Sequence, residues 1–399
     1  MDWQTSEDTV PSSVITEANR RQLLGKPPAT GAWRDGDPPG QRRFVPIGAV
    51  ELEAGGVLPG VRVAYESWGT LDPDGGNAVL VLHALTGDSH LVGAAGPGHP
   101  TAGWWGGVVG PGLAIDTDRF FVVAPNMLGG CQGTTGPASL APGGYEWGGR
   151  FPFLTIRDQV QAQLKFADAL GIRRFAAVVG GSMGGMHALE WAITAPDRVE
   201  RLAVLAAPAI SSADQIALNS VQVEAVRADP AYAGGDYYDS PDGEGPHRGL
   251  ALARRMALLN YRSPSELNER FGRSWQSGVS PLGDGGVYAV ESYLDFHGNR
   301  FPRRFDANSY IRLVEAMSSH DVGRGRGGVA AALAAVTAEC LVVGIDSDRL
   351  FPVEQQELLA QLLPRTVHGD RAIVLESAYG HDGFLIEDDL VTAALRHLL

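Results

Sequence analysis

Cysteine is scarce in this chain. Cys131 and Cys340 are the only two in 399 residues, too few for a disulfide framework or a cysteine metal cage. They fit a reducing cytosol. The first eight residues lack both the basic and the apolar stretch of a secretory signal, so no leader is expected. Long hydrophobic runs are also missing. The longest mostly apolar stretch, residues 329–345, contains Thr337 and Glu339 and is too short and too polar to span a bilayer. No Lys/Arg cluster stands out: 32 basic residues against 46 acidic ones leave a net charge of −14. That balance argues against nucleic acid and anionic membrane as partners and reads as solubility. The expectation is a soluble, cytoplasmic protein without internal repeats.

The most telling feature present is the pentad Gly180-Gly181-Ser182-Met183-Gly184, which matches G-x-S-x-G. Residues 175–179 precede it as a compact apolar run, the length of a buried parallel strand. Residues 186–195 follow as a helix ended by Pro196. Strand, sharp turn and helix form the context that lifts a serine above a sheet as a nucleophile. The glycines suit that context, because a strained turn between strand and helix leaves no room for side chains. An ordinary glycine-rich turn is the competing reading of the bare pentad.

Around the pentad the chain alternates between strand and helix patterns. Residues 1–40 mix Pro, Gly, Ser and charge with weak periodicity and are expected to form a loosely ordered arm. Strand-like runs follow at 45–52, 61–68, 78–82 and 120–124. A polar, glycine-laden loop at 126–149 then leads to a helix at 156–170, with Thr155 or Asp158 to cap it. After a strand at 202–206, residues 210 to 325 carry helical patterns at 215–228, 249–259 and 309–318 and almost no strand pattern. Alternation returns with a strand at 340–345, a helix at 353–363, a strand at 372–375 and a terminal helix. This predicts an α/β protein, a mostly parallel sheet flanked by helices and interrupted by a helical lid. The arm would cover 1–40, the first part of the core 41–208, the lid 209–328 and the rest of the core 329–399.

In sheets of the α/β-hydrolase kind the catalytic partners follow in the order serine, acid, histidine. Asp346 directly follows the apolar run 341–345, at the carboxyl end of a late strand, where catalytic groups collect in open α/β sheets. Asp348 competes as a second carboxylate. His381 follows the strand at 372–375. The expected triad is therefore Ser182, Asp346 and His381: the histidine takes the serine proton, and the aspartate orients the ring. The oxyanion would meet the backbone N–H groups of Met183, beside the nucleophile, and Leu85, after the strand at 78–82. His83 and His187 read as hydrogen-bonded structural histidines. Trp104, Trp105, Tyr145 and Trp147 suit either the lining of a channel or packing under a long loop, with packing the favoured reading, and Cys131 reads as a buried thiol. No metal site is expected.

Four separate segments carry a resemblance. They are His83-Ala84-Leu85-Thr86-Gly87, the stretch from Asn126-Met127-Leu128-Gly129-Gly130 through Cys131-Gln132-Gly133-Thr134-Thr135-Gly136-Pro137, the run Gly180-Gly181-Ser182-Met183-Gly184-Gly185-Met186, and the closing Gly380-His381-Asp382-Gly383-Phe384-Leu385. Together they resemble the homoserine O-acetyltransferase family, from about Val45 to the C-terminus. The resemblance implies an α/β-hydrolase fold with a helical lid through which two copies dimerise. It also implies acetyl transfer from acetyl-CoA to the hydroxyl of L-homoserine, in ping-pong order through an acyl-serine, for methionine biosynthesis. Acetyl-CoA is then a co-substrate, and no cofactor is implied. By the same likeness the triad falls on Ser182, Asp346 and His381, and the amino acid is held by an arginine of the segment Gly249-Leu250-Ala251-Leu252-Ala253-Arg254 and by Asp382. Arg254 offers a fork of donors to a carboxylate, and Asp382 accepts from an ammonium. Arg255 competes with Arg254. Succinyl transfer, a serine acceptor, or ester hydrolysis by the same triad are the alternatives.

Overall fold

The computed structural model describes residues 21–399. Its central sheet has eight strands: β1 (Arg43–Glu51), β2 (Val57–Trp68), β3 (Ala78–Leu82), β4 (Phe121–Pro125), β5 (Ala177–Gly181), β6 (Arg201–Leu205), β7 (Glu339–Ile345) and β8 (Ile373–Leu375). They lie in the order β1-β2-β4-β3-β5-β6-β7-β8. β2 runs antiparallel to both neighbours, and all pairings from β4 to β8 are parallel. β3 and β5 are buried along their whole length, which is why they read as unbroken apolar runs.

The register brings the site segments to one edge. Leu82 pairs with Gly180, Gly181 with Leu205, and Ile345 with Leu375. The chain after β3, the Ser182 turn and the segments after β7 and β8 therefore all emerge at the carboxyl edge of the sheet.

Helices α1 (Ile156–Ala169) and α2 (Met183–Thr194) cover the sheet. Thr155 and Asp158 form a reciprocal cap at the start of α1, each side chain taking the other's backbone N–H. α2 starts directly after Ser182, three residues earlier than expected from its sequence. The glycines that weaken its helical pattern are required there, because the helix and the sheet touch backbone to backbone. A Cβ on Gly180 would lie 2.1 Å from the Gly184 carbonyl oxygen, and one on Gly184 would lie 2.0 Å from that of Leu82. Strand β5 begins two residues later than expected. Phe175 instead makes only an isolated bridge to Val199 and packs edge-on against Trp191 of α2 at 5.4 Å.

Between β6 and β7 the chain adds no strand to the main sheet. It forms α3 (Ala213–Arg227), α4 (His247–Tyr261), α5 (Pro264–Phe271), α6 (Ala289–Arg300) and α7 (Ala307–Ser318). α4 packs against α3 and α6, and α3 against α7. After β7 come α8 (Val353–Leu362), β8 and α9 (Asp388–Leu395).

Half of the predicted loose arm, residues 1–20, lies outside the described residues. Further along, the structure corrects that expectation. Ala29 and Ala32 are buried, Thr30 Oγ1 donates to Asp306 Oδ1 at 2.7 Å, and Gly31 N–H donates to Phe305 O at 3.2 Å. Trp33 N–H donates to Cys131 O at 2.9 Å. These partners are remote in sequence, so no local periodicity announces the ordering.

The Gly184→Ala variant should lose about 1–3 kcal/mol of stability, since its Cβ meets backbone that cannot move aside. Denaturant midpoints measure this; an unchanged midpoint would show that α2 is free to shift.

Candidate active site

Ser182 sits where β5 turns into α2, with φ 58° and ψ −125°. This sparsely populated backbone region costs about 1–3 kcal/mol for a residue with a Cβ. Its own N–H donates to Leu205 O at 2.9 Å, which fastens the turn to β6. The side chain is thereby aimed away from the sheet and toward His381, in the short helical turn Gly380–Asp382 after β8. His381 Nε2 lies 2.8 Å from Ser182 Oγ.

The carboxylate that pairs with His381 is Asp348, not the expected Asp346. Asp348 Oδ2 lies 2.7 Å from His381 Nδ1, and its side chain is 0% exposed. Its other oxygen accepts from the backbone N–H groups of Leu350 at 2.8 Å and Phe351 at 2.9 Å. Asp346 is exposed and, among the described residues, its side chain accepts only from Ser377 N–H, at 3.0 Å. The cause is a turn: Asp348 N–H bonds back to Ile345 O at 3.1 Å, which folds the second carboxylate under the histidine. Ser347 stitches the two loops together, accepting from Gly380 N–H at 3.0 Å and donating to Ser377 O.

These contacts set the chemistry of the ring. With Nδ1–H donating to Asp348, Nε2 is left to accept the serine proton. Burial opposes imidazolium formation, but the charge and hydrogen bond of Asp348, helped by Asp382, outweigh it and raise the His381 pKa. Phe351 and Phe384 meet the ring edge-on, at 5.2 and 5.5 Å.

The N–H groups of Met183 and Leu85 have no acceptor among the described residues. Met183 is the first residue of α2, and Leu85 lines the cavity at Ser182. His83 holds the Leu85 loop instead of reacting: its Nδ1 bonds Ala84 O at 2.8 Å and its Nε2 accepts from Met127 N–H at 3.2 Å. His187 is enclosed, with Nδ1 2.7 Å from Met183 O, and burial pushes its pKa down to about 3. Burial likewise pushes the Cys131 thiol up to about 12, so it stays protonated.

The cavity encloses about 250 Å³. Arg254 reaches into it from α4, its guanidinium 5.2 Å from the Phe301 ring and 5.6 Å from the Tyr261 ring, with Nη1 3.5 Å from Thr86 Oγ1. Arg255 pairs with Asp295 at 2.9 Å and is not among the residues that line this cavity. Asp382 lines the same cavity, and its Oδ2 lies 3.3 Å from Arg262 Nε, an ion pair without the alignment of a hydrogen bond. Burial raises the Asp382 pKa, opposed by Arg262, Arg254 and His381.

Sequence reasoning missed Arg262 and Arg304, which also line this cavity, because isolated arginines in a helical segment carry no pattern. It also misjudged Trp104. Trp105 is buried and donates to Phe384 O at 3.1 Å, but Trp104 forms part of the cavity wall. Tyr145 lies on a different surface.

One other group deserves testing as a metal ligand set: Glu66, His90 and His99, all buried. Glu66 already accepts from His90 Nδ1 at 2.9 Å and Ser89 Oγ at 2.8 Å, while His99 Nε2 accepts from Gln41 N–H at 3.0 Å. The two rings stack at 3.9 Å and 13°, so their in-plane lone pairs do not converge on one ion. The arrangement suits a hydrogen-bonded brace under the loop after β3.

A family profile described as alpha/beta hydrolase fold matches residues 77–388. The chain is 73% identical over 385 residues to the homoserine O-acetyltransferase of Clavibacter michiganensis subsp. michiganensis (strain NCPPB 382), covering 96% of this chain and 99% of that protein. Among solved structures, homoserine O-acetyltransferase from Bacillus anthracis is similar with a TM-score of 0.81 and 27% identity, over 90% of this chain and 96% of that one. Esterase E22 is similar to the same degree, with a TM-score of 0.80 and 28% identity over 90% and 99% of the two chains.

Asp348→Asn should slow turnover of a chromogenic acetate ester by about 10⁴-fold, the cost of holding the wrong histidine tautomer. Asp346→Asn should cost less than about tenfold, since it touches neither His381 nor Ser182. The reverse ranking would restore Asp346 as the acid. The rate should also fall on acidification, because protonated His381 cannot act as a base. As Asp348 and Asp382 raise that pKa, the midpoint should lie above the ordinary imidazole value. A flat profile across that range would remove His381 from the role.

Proposed function

The chain belongs to the homoserine O-acetyltransferase family of the α/β-hydrolase fold, and we propose that it moves the acetyl group of acetyl-CoA to the hydroxyl of L-homoserine through an acyl-serine. The observation that carries this reading is that a cation, Arg254, and a carboxylate, Asp382, line the same cavity as Ser182.

In the first half-reaction Ser182 Oγ attacks the thioester carbonyl while His381 Nε2 takes its proton. Asp348 stabilises the imidazolium, and the Met183 and Leu85 N–H groups receive the oxyanion. The carbon–sulfur bond then breaks, the proton passes from His381 to the departing thiolate, and acetyl-Ser182 remains. In the second half-reaction the homoserine hydroxyl gives its proton to His381 and attacks the acetyl carbonyl. The bond to Ser182 breaks, the proton returns to the serine, and O-acetyl-L-homoserine leaves for methionine biosynthesis.

The acceptor's charges orient it. Its carboxylate meets the Arg254 fork, and its ammonium meets Asp382 Oδ1, the oxygen that Arg262 leaves free. That placement presents the hydroxyl to the acyl-serine in preference to water, which is what an esterase on the same scaffold does not need. No described helix is long and apolar enough to cross a membrane. Two further parts of the reading are a cytoplasmic setting, supported by two buried free cysteines, and a homodimer through the helical insert, supported by exposed Val221 of α3 and Leu252 and Leu259 of α4.

The test is release of free CoA thiol from purified protein given acetyl-CoA or succinyl-CoA, with and without L-homoserine. Homoserine-dependent release from acetyl-CoA is expected, and homoserine-independent release would identify an esterase-like hydrolase. Arg254→Ala should raise KM for homoserine by about 10²-fold, the worth of a charged bidentate contact, with a far smaller change for the donor. Equal effects on both substrates would refute the carboxylate clamp.

A further inference from the structure

A second cavity, of about 330 Å³, adjoins the first and shares Thr86, Gly87, Trp104, Arg254 and Arg304 with it. Its outer wall adds His297 and Arg300, from the last turn of α6. Arg254, Arg300 and Arg304 thus border one space, and none is ion-paired to a carboxylate among the described residues. Two of them have other work. Arg254 and Arg304 lie over the Phe301 ring at 5.2 and 5.4 Å, and Arg304 Nη1 donates to Thr86 O at 2.9 Å. Arg300 has no hydrogen-bond, ion-pair or ring partner among the described residues.

In a chain of net charge −14, three clustered guanidiniums with no ion-paired carboxylate among the described residues repel one another, and no hydrogen bond, ion pair or ring contact among those residues explains the place of Arg300. The surroundings register that repulsion. Burial, then Arg254, lowers the Arg300 pKa. Burial, then the charges of Arg254 and Arg300, pushes His297 down to about 4, so its ring is neutral at neutral pH. Among the described residues the wall carries one carboxylate, Asp88, whose charge offsets part of the effect of burial at Arg304 and whose Oδ1 accepts from His90 N–H at 2.9 Å; it forms no ion pair with any of the three arginines.

We propose that this second cavity binds the phosphate groups of the acyl donor's nucleotide, with Arg300 as their principal contact and Arg304 and His297 beside it. The inference rests on the reading of the donor as a CoA thioester. The two cavities adjoin along a shared wall at Thr86, Gly87 and Trp104, which is where the pantetheine arm would run between Ser182 and the arginines. A polyanion answers several unpaired cations at once, whereas the single carboxylate of the amino acid is already met by Arg254. Guanidinium forks match phosphate oxygens in geometry as well as charge. The phosphates sit apart from the reacting carbonyl, so the site supplies donor affinity and not chemistry.

Calorimetry with CoA and with pantetheine, which lacks the phosphates, tests this without requiring turnover. Wild type should bind CoA more tightly than pantetheine, and the difference should shrink with added salt. Arg300→Gln should raise Kd for CoA about tenfold, the worth of one charge-assisted hydrogen bond at a partly exposed site, and change Kd for pantetheine less than about twofold. Arg300→Lys, which keeps the charge and loses the fork, should recover part of the loss. Equal weakening of both ligands, an unaffected CoA affinity, or wild-type binding that ignores the phosphates would each overturn the site. If CoA binds as described but acetyl-CoA never acetylates homoserine, the proposed function fails and the phosphate site stands.

Discussion

The contact between α2 and the sheet, made without side chains, is the constraint on which the site depends. Gly180 and Gly184 let the helix approach until backbone touches backbone, and that approach leaves Ser182 at φ 58° with nowhere to relax. The strain is held by the bond from Ser182 N–H to Leu205 O and by the buried length of α2 behind it. Because the helix begins at the very next residue, the free N–H of Met183 lies beside the nucleophile. One packing decision therefore places both the attacking oxygen and one donor for the oxyanion.

The charged half of the site obeys a different rule. Asp348 is fully enclosed, and a buried carboxylate is tolerable only when its oxygens are satisfied. Leu350 and Phe351 N–H groups hold one oxygen and His381 the other, so the acid is fixed before any substrate arrives. Asp382 adds a second negative charge beside the histidine, but Arg262 opposes it. The two acids thus divide the work: one orients the ring, and the other keeps an oxygen toward the cavity.

Much of this was legible in the sequence, and the limits are physical. The pentad announced the turn because glycines next to serine between an apolar run and a helix leave few alternatives. The strand and helix alternation and the long helical stretch after β6 followed from periodicity. The acid was misplaced by two residues because strand ends are visible in a sequence while the turn after β7 is not. The hydrogen bond from Asp348 N–H to Ile345 O reverses the chain there, and nothing in Asp346-Ser347-Asp348 reveals it. The ordering of residues 29–33 was equally hidden, since their partners Cys131, Phe305 and Asp306 are distant in sequence. Arg262, Arg304 and Trp104 join the site only through the way the helical insert folds back.

Similar structures include both a transferase and an esterase, so the sheet alone does not fix the activity. The insert is docked onto both loops that carry catalytic groups. Arg254 and Arg304 each contact Thr86, the residue after Leu85, which lines the cavity at Ser182. On the other side Ser263 donates to Ala378 O, and Gly380, at φ 65°, sits so close to Tyr261 that a Cβ would lie 2.5 Å from its carbonyl oxygen. The residue after Gly380 is His381. The insert that walls the cavity and the two loops that flank Ser182 are therefore one packed unit, so a change in the insert is felt at Leu85 and His381 as well as in the cavity.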